Sequence, residues 1–544
     1  MTTTTAPPNA GPVASAAPGR IVSRLAARQV RRGAMVVALV SGGMSAVVAA
    51  TYDSVIAGAP GGARSLAALA ANPAVRTLFG EPVALDEAGG FTVWRVGTVL
   101  AVLLGTWAGL ATVRVLRGEE DAGRWELLLA GRVPIASAVR RHLVVLIAAT
   151  LVSGAAVAVA LVAAGTAVTG AVVHGVSLAL IGVFFVGVGG AAAQLWPNRG
   201  AAAGATVAVL VAGLLARMVG DGVAALGWLR WLSPFGLAAL ARPYDADRVL
   251  PLAVLAAASI TLLTAGPVAA RHRDVRGGVL GGAHSRRSRG ALLGSAPSFA
   301  VRSTLRPLAA WALGIAAFFL LIGLIAESMT TFLRDNPQFA ELARQAGFEL
   351  DAVQGYAATL FTLLAVPLGG FAASRIASLA GAERARRLDL LLAAPLARAQ
   401  LLAAEVAATV AGVLALAATA ATATWAGTTA TSTPLRLGDA LAGGANTLPV
   451  AALGLAAALL ALGWAARAVV AVGMLPTAGG FLLTVLADSV DAPAWVAALS
   501  PFDHLALVPG SPPDVPAALV MLALAAGIGA IGVLGYHRRD IRGD

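Results

Sequence analysis

The chain has no cysteine, and all 39 of its basic residues are arginine; lysine does not occur. The first absence removes disulfides and thiolate metal sites. The second removes the GxxxxGK[ST] phosphate loop, whose lysine must reach the nucleotide phosphates, and Schiff-base chemistry, which needs a lysine amine. Charge is scarce too: 12% of the 544 residues are charged against 58% hydrophobic, with a mean hydropathy of +0.82. That is too little polar surface to cover a water-soluble globule of this size. The six histidines show no HExxH or other ligand spacing, so no metal site is expected.

What the chain has in quantity is apolar runs, twelve of them, the first at 33–54, the eleventh at 468–488 and the last at 515–536. Each is long enough to cross a hydrocarbon layer of about 30 Å as a helix, which satisfies its own backbone in lipid. The expected fold is an all-α polytopic membrane protein of about 12 transmembrane helices. Residues 1–19, MTTTTAPPNAGPVASAAPG, lack both charge and an apolar block and are read as a disordered tail. The run after Arg31 and Arg32 exceeds a signal-peptide core and is read as a retained span.

Arginine orients the chain. With the N-terminus inside, 29 of the 39 arginines fall on inner segments and 17 of the 27 acidic residues on outer ones. The positive-inside rule then places both termini in the cytoplasm of a plasma (inner) membrane protein. The net charge of +12 follows from topology and contact with anionic lipid, not from nucleic-acid binding.

The chain is written twice. GRWELLLAGRVP at 123–134 returns as RRLDLLLAAPLA at 386–397, WLRWLSPF at 228–235 as WVAALSPF at 495–502, and RDVRG at 273–277 as RDIRG at 539–543. Offsets of 263 to 267 in one order identify a tandem duplication. Six-span halves at 20–276 and 300–544 flank a Gly, Ser and Arg-rich cytoplasmic linker at 277–299. An even span count gives the halves one orientation, related by a pseudo-twofold along the membrane normal. Basic stretches at 20–32 and 301–311 precede each first span and are read as interfacial amphipathic helices or as positive-inside anchors.

Both Leu triplets lie in the cytoplasmic loop after the second span. In the first copy the acids of GEEDAGRWELLLAGRVP predict a helix of about three turns, with Glu120 and Arg124 forming an i,i+4 pair that Glu383 and Arg387 repeat. Trp125, Leu128 and Leu129 share one face, as do Leu388, Leu391 and Leu392. Such a stripe can pack on its own protein, lie in the lipid interface, or seat in a partner's groove; its occurrence at two equivalent places fits a twofold partner.

The pattern E-x-x-x-[GR]-x-[ED]-L-L-L, carried by Glu120, Arg124 and Glu126 and again by Glu383, Arg387 and Asp389, resembles the signature of type 2 ABC exporter permeases. With the doubled length, the Ser-Pro-Phe segments and the Arg-Asp ends, the chain from about residue 20 is similar to the fused twelve-span permeases of actinobacteria that export polyketide antibiotics. The resemblance implies that these loops carry coupling helices seated on two copies of a separate ATP-binding subunit. ATP and magnesium would then be held by that partner and no cofactor by this chain, which would be a transport subunit and not itself an enzyme. The cargo it implies is a hydrophobic small molecule such as an antibiotic or drug. Two features depart from the pattern: Arg386 and Arg387 replace a Gly-containing turn, and a two-residue slip separates Pro134 from Pro395.

An ion-driven secondary multidrug transporter also has twelve spans in parallel halves, but its loop after the second span is basic and Gly-rich, unlike GEEDAGRWELLLAGRVP. A lipid-linked glycosyltransferase would need a carboxylate cluster in the first outer loop, and none is present. On the outer side, Trp228, Ser233, Pro234 and Phe235, with Trp495, Ser500, Pro501 and Phe502, are candidates for a short interfacial or re-entrant segment near the exit. His174, Arg217, Glu405 and Asn446 are polar groups within spans, each close enough to an end to snorkel or to pair helices, and each a candidate for the substrate path.

Overall fold

Residues 18–54, 73–130, 133–271, 277–279, 294–335, 337, 353–384, 386–388, 396–431, 433–489 and 492–539 are described in the computed structural model. Residues 1–17 of the expected disordered tail and most of the linker lie outside them, while Pro18 and Gly19 of that tail instead begin the first helix.

In the first half, α1 (Pro18–Ala50), α2 (Pro73–Phe79) and α3 (Ala88–Val113) lead into a π-turn at Arg114–Gly118. Then come α4 (Glu119–Asp121), α5 (Arg124–Leu129), α6 (Ile135–Ala163), α7 (Val168–Leu195) and α8 (Arg199–Gly222). A 3-10 segment at Ala224–Leu232, α9 (Pro234–Leu240) and α10 (Val249–Ala270) complete it. The second half has α11 (Ala296–Asp335), α12 (Val353–Arg384), α13 (Arg398–Thr429), α14 (Leu437–Asn446) and α15 (Leu448–Trp464). It continues through α16 (Val469–Gly473), a π-turn at Leu475–Gly479, α17 (Gly480–Ser489), α18 (Ala494–Ala497) and α19 (Val515–Arg538).

Eleven helices among the described residues are long and apolar enough to cross a membrane, α14 and α15 together forming one of them. The remaining expected span, at 468–488, differs: α16, a π-turn containing Pro476 and α17 replace a continuous helix. Proline supplies no N–H to the helical ladder, and the turn widens around it. The first basic stretch is likewise not a separate interfacial helix. It is the first part of α1, which buries Val22, Ala26 and Val30 on the bundle and exposes Ile21 and Leu25. A continuous helix keeps every backbone bond, whereas a bend at the interface would expose some of them.

The same neighbours recur in both halves. In the first, α1 packs on α6, α6 on α7, and α7 on α3 and α10; in the second, α11 packs on α13, α13 on α14, and α15 on α12 and α19. The halves meet reciprocally: α8 of the first touches α11 of the second, and α17 of the second touches α1 of the first. One hydrophobic cluster runs through the first half into Ile322, Ala326 and Met329 of α11 and Tyr356 and Leu360 of α12. Outside it, Leu39, Leu313, Val249 and Leu519 stand exposed, as side chains facing lipid do. Small residues let helices close: a Cβ on Gly154 would lie 2.3 Å from the Gly175 carbonyl oxygen, so α6 and α7 approach there only because both are glycine.

Candidate functional site: the terminus face and the opposite cap

The loop after the second span lies on the face that carries the start of α1 and the end of α19, called here the terminus face. In the first half it is two short helices and not one of three turns, because Gly123 turns the backbone left-handed at φ 75° and separates α4 from α5. The pairing differs from the expected i,i+4 arrangement as well. Glu120 is buried and forms an ion pair with Arg117 at 3.1 Å, while Arg124 bonds Glu119, with Nη2 2.8 Å from Oε1. The left-handed turn swings Arg124 away from Glu120. Asp121 accepts from the backbone N–H of Arg199 at 2.8 Å, placing a carboxylate on the N-terminus of α8.

The apolar face of α5 points inward. Trp125 is buried, its ring stacked on His142 of α6 with centroids 5.7 Å apart, and Leu128 and Leu129 are half-buried against the core. Trp125, Leu128 and Leu129 thus attach the helix to its own bundle. The bundle beneath is itself apolar and removes the widest apolar stripe from water. What faces outward is Arg124, Glu126 and Leu127, the last 81% exposed.

The second half repeats the turn without its glycine. Arg386, 263 residues after Gly123, adopts φ 53°, and its N–H bonds the Glu383 carbonyl at 2.9 Å as Gly123 bonds Glu120 at 2.9 Å. Glu383 is buried, yet its partner is Arg539 at the end of α19, not Arg387. The left-handed turn displaces Arg387 in the same way. Leu388 is buried; Asp389, Leu391 and Leu392 lie outside the described residues. Despite the proline slip, α6 and α13 keep one register: buried Ala138, Val139, His142 and Leu146 correspond at 263 to buried Leu401, Leu402, Glu405 and Thr409.

The opposite face holds the Ser-Pro-Phe segments. Ser233 caps α9, accepting from the Gly236 N–H at 3.1 Å and donating to the Gly213 carbonyl on α8 at 2.6 Å. Ser500 donates to the Gly480 carbonyl on α17 at 3.0 Å. Both serine and acceptor recur at an offset of 267, so these are one contact written twice. Pro234 and Pro501 lie over the same two glycines. Phe235 is buried against Phe185, centroids 5.8 Å apart, and Phe502 stands 5.8 Å from Phe481. Trp228 and Trp495 are exposed. The segment therefore combines both expected behaviours: tryptophans at the rim and Ser-Pro-Phe turned into the protein.

The intramembrane polar residues go to different places. Arg217 pairs with Asp221 at 2.6 Å and donates to the Phe79 carbonyl at 2.7 Å, fastening α2 to α8. Asn446 donates to the Ala506 carbonyl at 2.7 Å. Glu405 meets Arg375 at 2.8 Å. His174, buried on α7, keeps its Nε2 without a partner and abuts Gly97 of α3. Beside the first cap, Tyr244 bonds Thr166 at 2.8 Å, and burial pushes its phenol above the ordinary range. Sequence reading missed Leu127 and Arg375. Leu127 was hidden inside an undifferentiated Leu triplet, and Arg375 looked like one more positive-inside anchor.

Residues 293–537 match the family described as multidrug efflux system permease Rv1217c, C-terminal domain. The multidrug efflux system permease protein Rv1217c of Mycobacterium tuberculosis (strain ATCC 25618 / H37Rv) is 30% identical over 520 residues, covering 93% of this chain and 92% of that protein. The chain belongs to this family of multidrug efflux system permeases. In this permease the match to the relative spans both halves.

Proposed function

We propose that the chain is the membrane-spanning subunit of an ATP-driven ABC exporter that moves hydrophobic small molecules, such as antibiotics or drugs, out of the cell. Two copies of a separate ATP-binding subunit, which hold ATP and magnesium, seat on the terminus face, and that face is cytoplasmic. The halves are related by a pseudo-twofold along the membrane normal. The observation that carries this reading is α5: a helix anchored inward by Trp125 that presents Arg124, Glu126 and the 81% exposed Leu127 outward at the end of the second span. A rigid element fixed to a span and exposed at its tip suits the transfer of a partner's movement. ATP binding shifts the inward-facing and outward-facing populations through the partner's unequal affinity for the two states.

Purification of the tagged chain from its native membrane is expected to bring down a subunit carrying a GxxxxGK[ST] loop. Leu127→Asp should leave expression and melting temperature unchanged while reducing substrate-stimulated ATPase activity by at least tenfold. Transport that persists without any ATPase subunit and stops on collapse of the proton gradient would replace this reading with an ion-driven carrier.

A further inference from the structure

Beneath the two loops of the terminus face the halves are packed differently. At the common offset of 263, Thr112, Trp125 and His142 correspond to Arg375, Leu388 and Glu405. In the first half the space is closed: the Trp125 ring stacks on His142, and Thr112 donates to the Ala108 carbonyl of its own helix at 2.7 Å. In the second half the same positions border a cavity of about 210 Å³, walled by Phe299, Leu379, Ala382, Leu388 and Leu401. Leucine stands where the other half has an indole, and a Thr and a His give way to an Arg and Glu pair.

The polar end of the cavity favours one sign of ligand. Arg375 is 5% exposed; its Nη2 bonds Glu405 at 2.8 Å and the Ser303 hydroxyl at 2.7 Å, but its Nε–H has no partner. Both oxygens of Glu405 are within reach of internal donors, Oε2 of Arg375 and Oε1 of Ser303 at 3.3 Å. The capacity left open in the buried network is a donor. Glu405 balances one arginine, and exposed Arg387 adds a second positive charge at the lip. An acceptor that carries negative charge gains a charge-assisted hydrogen bond from Arg375 and attraction from Arg387. An amine would meet a carboxylate already engaged and two guanidinium groups.

We propose that this cavity binds an anionic amphiphile: a compact apolar body of about the size of the indole ring that closes the first half, bearing a carboxylate or phosphate. A small organic acid and the headgroup region of an anionic lipid share this chemistry. The site is separate from the outward face of α5, and its binding requires no ATPase.

The test is calorimetric titration of the full chain in nanodiscs of zwitterionic lipid, with 4-phenylbutyrate and the uncharged 4-phenylbutanol as probes. One saturable site is expected, binding the acid at least about tenfold tighter than the alcohol, the scale of one charged hydrogen bond. Leu388→Trp, which restores the first half's filling group, should abolish binding of both probes. Ala382→Leu, filling from another wall, should weaken both. Arg387→Gln, at an exposed position, should lower the acid's affinity several-fold and leave the alcohol's unchanged. Equal affinity for acid and alcohol, or unchanged acid binding in both Leu388→Trp and Ala382→Leu, overturns the proposal. Competition by phosphatidylglycerol added to the discs assigns the site to a lipid, and its absence to a soluble acid; both support the shared chemistry. No ATPase is present in this titration, so its failure is distinct from failure of the exporter reading.

Discussion

Arg386 holds a left-handed backbone conformation, φ 53°, at the place where the first half has Gly123 at φ 75°. For a residue with a Cβ that conformation costs about 1–2 kcal/mol, and glycine removes the clash while adding unfolded-state entropy. Arg386→Gly is therefore expected to stabilise the second half by up to about 1 kcal/mol, seen as a raised melting temperature; a fall would show that the arginine side chain contributes more than its backbone loses. The sequence marked the departure here, since two arginines replaced a Gly-containing turn. It could not indicate that the turn persists, because whether a chain accepts strain depends on the anchors on either side, here buried Glu383 and buried Leu388.

At the scale of elements, the Ser-Pro-Phe caps are the clearest repeated feature. A serine bonds the carbonyl of a glycine twenty positions earlier in each half, Gly213 and Gly480. Loss of such a buried tertiary bond costs about 1 kcal/mol. Ser233→Ala and Ser500→Ala should each lower stability by that amount, and the double variant by their sum, since the two sites share no residues. A cost in only one of them would mean that the second cap is decorative. The loop after the second span shows the limit of periodicity. Spacing put Trp125, Leu128 and Leu129 on one face, and they do share one. Periodicity cannot say what meets that face. The bundle does, which leaves Leu127 as the outward group.

For the whole molecule, the natural absence of cysteine makes topology directly measurable. Ser295→Cys, before α11 on the terminus face, should resist a membrane-impermeant maleimide in intact cells and react after lysis. Asp503→Cys, in the opposite loop, should react in intact cells; the reverse pattern would invert the assigned orientation. The reciprocal contacts of α8 with α11 and α17 with α1 place the boundary between halves where the fifth span of one half meets the first span of the other.

An all-helical membrane fold of about twelve helices, an arginine asymmetry and a set of repeated motifs were legible in the sequence itself. Each rests on local composition: apolar length sets a span, arginine placement sets its direction, and repeated short motifs survive without knowledge of contacts. The tertiary structure alone decided which side of α5 is buried, that Glu383 pairs with Arg539 156 residues away, and that the second half has a cavity where Trp125 stacks on His142 in the first. These depend on which distant helices come together, and the free energy of burying an indole against a histidine or a guanidinium against a carboxylate exists only once they have.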